Sequence, residues 1–207
     1  MAPLERILAE GLSDMALSAT AQQQERLLAF IRLLKKWNRV YNLTAIENPA
    51  DMVRLHLLDS LAVLPYLSGA RVLDVGTGAG LPGIPLAVLS PEREFILLDS
   101  NAKKTRFVRQ AAIELGLANV AVEHARIEQF QPSHGFDVIL ARAFASLPAI
   151  AGETSRLLNP GGTILAQKGK SPVEEFNSLE NMTVEDFPLH IPGIDAQRHL
   201  IAIKLGE

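Results

Sequence analysis

Residues 71–85 read Arg-Val-Leu-Asp-Val-Gly-Thr-Gly-Ala-Gly-Leu-Pro-Gly-Ile-Pro. An apolar strand, Val72 to Val75, runs through the acidic Asp74 straight into glycines at alternate positions, Gly76, Gly78 and Gly80. Glycine serves where a backbone must take positive φ or approach a ligand with no Cβ in the way. The stretch therefore predicts a nucleotide-cofactor loop at a strand end, since an ordinary strand-to-helix turn rarely needs three spaced glycines.

Two cofactors compete for such a loop, because Gly78-Ala79-Gly80-Leu81-Pro82-Gly83 also fits the dinucleotide fingerprint G-x-G-x-x-G. The register disfavours that match. In the dinucleotide motif the first glycine closes the strand, whereas here the strand ends at Gly76, two residues early. Asp74 would also set a negative charge beside the site, which a diphosphate resists and a sulfonium or ammonium favours. D-x-G-x-G-x-G thus points to S-adenosylmethionine rather than NAD.

The pattern around the loop is strand and helix in alternation. Strands are expected at 72–75, 94–98, 120–123, 136–140 and 162–166, with two more at 183–190 and 198–204. Helices are expected at 84–89, 102–115 and 147–157. Short loops between alternating elements imply right-handed crossovers and a doubly wound, mostly parallel seven-stranded sheet in an α/β fold, and the glycine loop indicates the class I methyltransferase type of that fold. Ahead of this, residues 21–37 carry Leu27, Leu28, Ile31, Leu34 and Trp37 at helical spacing, and 52–67 reads as a second helix. Residues 1–68 are expected to form a helical cap on a methyltransferase domain spanning 69–207, packed as one unit.

Composition bounds the rest. A 207-residue chain that is 48% hydrophobic suits one α/β domain with an extension. No secretory signal or membrane-length apolar run is visible, and with no cysteine there is neither a disulfide framework nor a thiolate. A cytoplasmic protein is expected. Its net charge of −3 argues against a uniformly basic nucleic-acid binder but leaves room for a local basic face. Lys35, Lys36 and Arg39 crowd one segment, Lys103, Lys104, Arg106 and Arg109 another, and Lys168 and Lys170 sit late.

Ligands bind beyond the carboxyl ends of the strands in such a sheet, so the residues just after each strand are the candidates. Gly76, Gly78, Gly80 and Leu81 follow the first. Asp99 ends the second, where an acidic residue suits the hydroxyls of a ribose; the competing role is to start the next helix, which Ser100 or Asn101 could fill equally well. Ile127 and Glu128, after the third, are placed to flank an adenine ring. Arg142 ends the fourth, the position that faces the reacting atoms. The Asn/Asp-Pro-Pro-aromatic segment used on exocyclic amines is absent there, and carbon-5 pyrimidine methylation needs a thiolate the chain lacks. A ring nitrogen with a free lone pair, such as guanine N7, remains, and Arg142 could bond the guanine O6, a phosphate or the cofactor carboxylate. His56 and Asp59, three apart on a predicted helix, are expected to form a hydrogen-bonded pair fixing the cap at the cofactor mouth; no third ligand accompanies them, so no metal is expected.

Asn42-Leu43-Thr44, His56-Leu57-Leu58-Asp59-Ser60, Asp74 through Pro85, Arg142-Ala143-Phe144-Ala145 and Lys168-Gly169 occur in this order and spacing. Together they resemble the family of ribosomal RNA small-subunit methyltransferase G, also called glucose-inhibited division protein B, over nearly the whole chain. The resemblance implies transfer of a methyl group from S-adenosylmethionine to N7 of one guanine in 16S ribosomal RNA, free or in the 30S subunit; a monomer is expected. It places cofactor contacts at Gly76, Leu81, Ile127, Glu128 and Arg142, and Arg126 and Lys168 near RNA or cofactor. Ala141 departs from the serine common in the family, and the end at Glu207 lacks the basic tail of some relatives. A catalytically inert cofactor-binding RNA or ribosome-assembly factor is the alternative.

Overall fold

The computed structural model describes residues 3–142, 145–179 and 181–206. Its centre is β1 (Arg71–Val75), a short apolar strand with parallel neighbours on both sides: β2 (Glu94–Asp99) and β4 (Phe136–Arg142). β3 (Val120–His124) adds parallel to β2, and β5 (Leu158–Lys168) to β4. An antiparallel pair, β6 (Met182–Pro188) and β7 (His199–Leu205), completes the order 3-2-1-4-5-7-6, with β7 against β5. The order reverses at β1 and β4, which opens a crevice beyond their carboxyl ends.

Alternation along the strands divides the interior in two. Val72, Phe95, Leu97, Val138 and Leu140 face one apolar cluster, whereas Leu73, Val75, Ile96, Leu98, Ile139 and Ala141 face the other. Parity fails at Phe136, which joins the second cluster, because the pairing of β4 with β5 slips between Phe136 and Val138.

The first cluster is covered by α1 (Pro3–Asp14), α2 (Ala21–Tyr41), α5 (Gly83–Leu89) and α6 (Ala102–Glu114). The second is covered by α7 (Leu147–Thr154) and by Ile127 of a single 3₁₀ turn. A short α8 (Val173–Phe176) precedes β6. α2 begins with a reciprocal cap, in which Thr20 Oγ1 accepts from the Gln23 amide and Gln23 Oε1 from the Thr20 amide. Its buried face, Leu27, Phe30, Ile31 and Leu34, packs in the same cluster as Leu8 and Leu12 of α1 and as the sheet, at about 2 kcal/mol per side chain.

The helix expected over 52–67 is instead broken. α3 (Pro49–Met52) passes into a π-helical stretch, Val53–Leu58, then α4 (Asp59–Leu61) and a 3₁₀ turn, Leu64–Tyr66. Polar groups buried in this segment take partners outside it, and the wider turn accommodates them. α2 runs four residues past its expected end, to Tyr41, where Asn42 at φ 49° caps it. β5 starts at Leu158 rather than 162, because an exposed Pro160-Gly161 excursion interrupts its apolar pattern.

Candidate active site

β1 delivers the chain into a loop whose backbone needs its glycines: φ is 66° at Gly76, 59° at Gly78 and 82° at Gly80. A Cβ on Gly80 would lie 2.7 Å from Ile84 Cγ1. On Gly78 it would meet nothing nearer than the Gly76 carbonyl oxygen at 3.8 Å, so that side of the loop is open.

Asp74 closes the loop from below. Its Oδ2 accepts from Thr77 Oγ1 at 2.6 Å and from the Gly83 amide at 2.9 Å, pulling the start of α5 back onto β1. The carboxylate is fully buried and its Oδ1 has no partner; burial pushes it up to about 7 despite these hydrogen bonds. This corrects the expectation of a negative charge presented beside a bound cofactor. Asp74 is a clamp inside the loop, and the cleft is lined without it.

That cleft, about 350 Å³, lies beyond the ends of β1, β2 and β3. Val75, Gly76, Leu98, Asp99, Ser100, Lys104, Ala125, Arg126, Ile127, Glu128 and Glu153 line it. Asp99 anchors its floor: Oδ2 accepts from the Gly78 amide and Oδ1 from the Asn101 amide, each at 2.8 Å. The cap of α6 is Asn101, whose Oδ1 accepts from the Lys103 and Lys104 amides. Asp99 therefore faces the cleft and ties the glycine loop to the start of α6.

Gly76, Asp99, Arg126, Ile127 and Glu128 are thus brought together; Gly78, Gly80, Leu81, Arg142, His56, Asp59 and Lys168 do not line this cleft. The Leu81 side chain packs into the core with Ala79 and Ile84. Two lining charges escaped the sequence reading. Lys104 lies in the first turn of α6, and Glu153 comes from α7, its Oε2 buried without a partner. Nothing local marks Glu153, because only the crossover from β4 to β5 carries α7 to this wall.

Arg142 belongs to a separate junction. Its Nη2 lies 3.1 Å from Asp59 Oδ2 and donates to the Leu55 carbonyl at 3.0 Å, and its Nη1 donates to Ser60 Oγ at 3.4 Å. Asp59 Oδ1 takes Arg198 Nε at 3.0 Å, and its carbonyl accepts from Gln167 Nε2. His56 Nε2 lies 2.9 Å from Thr44 Oγ1. Burial, and then the charge of Arg142, lowers the imidazole to about 4, so it stays neutral near pH 7. The expected His56–Asp59 hydrogen bond is therefore replaced: Thr44 holds one, and Arg142 with Arg198 the other. The π-helical turn between them carries positions three apart off a common face. Lys168 Nζ donates to the Ala145 carbonyl at 2.6 Å. Ala143 and Phe144 lie outside the described residues.

Glycine-rich loop, acidic second strand end and switch-point cleft are one constellation, and they coincide with a family match over residues 23–201 to the profile described as rRNA small subunit methyltransferase G. The chain belongs to that family. A relative from Methylococcus capsulatus, named ribosomal RNA small subunit methyltransferase G, is 57% identical, covering 96% of this chain and 97% of its own. One of the same name from Nitrosococcus oceani is 50% identical over 97% and 94%. Among solved structures, the N-methyltransferase NodS from Bradyrhizobium japonicum bound to S-adenosyl-l-homocysteine superposes with a TM-score of 0.57 at 14% identity, covering 84% of this chain and 99% of that one. A SAM-dependent methyltransferase from Aquifex aeolicus gives 0.56 at 22%, over 73% and 92%. The fold is that of the class I methyltransferases. Among the described residues no helix is long and apolar enough to cross a membrane, and no group of three or more histidine or acidic side chains could hold a metal ion.

Proposed function

We propose that this protein transfers the methyl group of S-adenosylmethionine to N7 of one guanine in 16S ribosomal RNA, acting as a monomer in the cytoplasm. The observation that carries the cofactor assignment is the cleft formed by Gly76, Asp99 and Ile127 at the strand ends, in a chain of this family. The residues present fit the cofactor: the loop is bare of Cβ where it is open, Asp99 suits ribose hydroxyls, and the orphaned Glu153 Oε2 offers a buried acceptor for an amine. When bound, the cofactor supplies a methyl carbon activated by a sulfonium.

Guanine N7 carries no proton, so no side chain need act as a base. Its lone pair would take the methyl carbon, the S–C bonding pair staying on sulfur and the positive charge passing to the guanine ring. The protein's task is then orientation and exclusion of water. Gly76, Asp99, Ile127 and Glu128 hold the adenosyl part. Arg142, fixed at the tip of β4 by Asp59, Ser60 and Leu55, holds the acceptor side of the crevice in place. Arg126 lines the cleft, and the segment Leu55 to Ser60 supports Arg142 from behind.

Chemical cleavage at 7-methylguanine in 16S RNA from cells with and without the protein tests the reading, since it reports atom, base and position together. One site that disappears with the protein is expected. Label entering tRNA or protein instead would sink the substrate assignment. Arg142→Ala should reduce transfer far more than stability, because Asp59 keeps Arg198 as a partner.

A further inference from the structure

A cleft larger than that beside the glycine loop lies elsewhere. About 730 Å³ of space opens beside the C-terminal end of α2, lined by Lys35, Asn38, Arg39, Asn42, Thr44 and Glu47 among others. It is twice the volume of the cofactor cleft and large enough for a nucleotide with its phosphates. Building on the RNA-methylation reading, we propose that this cleft holds the RNA strand carrying the acceptor guanine, with Lys35 and Arg39 on its phosphates and Asn42 on a ribose or base edge.

Three observations converge. Lys35 and Arg39 sit one turn apart, so they share a face of α2. Among the described residues neither makes an ion pair or side-chain hydrogen bond, although one turn earlier Arg32 is paired with Glu25, as Arg71 is with Glu94 in β1 and β2. The chain carries more acids than bases, so these two cations are not left unpaired for want of carboxylates. Glu47 lines the same cleft and bonds neither of them.

The second observation is the lining. Asn42 is exposed at the end of α2, with no bond to its side chain among the described residues, whereas the Thr44 hydroxyl is held by His56 and the Ile46 amide. An exposed amide beside such cations suits a polyanion with hydrogen-bonding sugars and bases better than an apolar partner.

The third is a rigid connection to the chemistry. Asn38 Oδ1 holds the Thr44 amide at 2.8 Å, Thr44 Oγ1 holds His56, and His56 lies in the field of Arg142 at the tip of β4. The wall of the cleft and the end of the strand that faces the reacting atoms are thus parts of one packed unit. A strand held by Lys35 and Arg39 would be held in register with that tip.

The test is the KM and kcat for 30S particles of the double variant Lys35→Glu/Arg39→Glu. Its charge-matched control is Lys103→Glu/Arg106→Glu, on the exposed side of α6. The cleft variant should raise KM about tenfold or more and flatten its salt dependence by about two phosphate contacts, while the affinity for S-adenosylhomocysteine stays that of the wild type. The control should change KM by less than about threefold. Equal effects of both variants would mean that net charge alone is sensed, and a cleft variant with wild-type KM would remove the site; either overturns the proposal. Wild-type protein that labels no 16S substrate would instead overturn the functional reading on which the proposal rests. A photoreactive side chain at exposed Ala45 identifies the occupant: the cross-link should fall in 16S RNA, and one falling in a ribosomal protein, or none, rejects RNA.

Discussion

The glycine loop and the Asp59–Arg142 junction flank the same crevice and are built in opposite ways. The loop is local: Asp74, Thr77 and Gly83 lie within nine positions, and its three left-handed glycines are dictated by backbone sterics. The junction is non-local. Leu55 and Arg142 are 87 positions apart, Asp59 and Arg198 are 139, and three chain segments must arrive together before both carboxylate oxygens have their partners. The loop closes mostly on itself and leans only on the end of β2, through Leu98 and Asp99, whereas the junction joins the cap, β4 and the approach to β7.

The sharpest way to break the contrast is Asp59→Ala. It leaves Arg142 and Arg198, each about a quarter exposed, without their shared carboxylate, and should cost about 3–5 kcal/mol. A change below about 1 kcal/mol in denaturant unfolding would show that water replaces the carboxylate, and that the junction is not a structural knot.

Asp74 bears on the loop side. Its folded value of about 7 exceeds the ordinary 3.8, so between those values the folded protein keeps a proton that the unfolded chain has released. Stability from this group therefore falls as pH rises from about 4 to 7 and is level above, by up to about 4 kcal/mol in total. Asp74→Asn should remove that slope. Melting temperatures of both proteins at pH 5 and pH 8 check it, and parallel profiles would mean that Asp74 is ionised throughout.

Gly80→Ala adds a Cβ at φ 82° and 2.7 Å from Ile84. About 2–3 kcal/mol of destabilisation is expected, or a drop of roughly 5–10 °C in Tm for a chain of this size. The smallest effect concerns Glu153, the lining charge that α7 contributes. Glu153→Gln should weaken S-adenosylhomocysteine binding about fivefold by calorimetry, with melting unchanged, because it replaces a charged acceptor with a neutral one. Tighter binding in that variant would place Glu153 away from any ligand amine.

How much of this was readable beforehand follows the same division. Six of the seven strands start within two residues of their expected positions, and the core of α6 and the positive φ of Gly76, Gly78 and Gly80 agree with expectation. These features rest on periodicity and backbone sterics, which a short window contains. Segment 52–67 was misread as one helix because its apolar spacing hides buried polar residues that bond elsewhere. Asp74 was read as a charge facing the ligand because its neighbours in sequence are cleft residues. The alternation of the strand turns it instead toward α5, where it is buried.

By itself the sequence determined the class of fold, the backbone of the loop and the strand ends that carry Asp99, Ile127 and Arg142, since each depends on residues within a few positions. Only the tertiary structure decided which side chains share a wall. It put Glu153 and Lys104 beside Asp99, gave Asp59 to two arginines rather than to His56, and set Lys35 and Arg39 over a second, larger cleft. Charge and hydrogen-bond partners are fixed by proximity in space, and a chain that crosses its sheet seven times brings together positions that no local pattern relates.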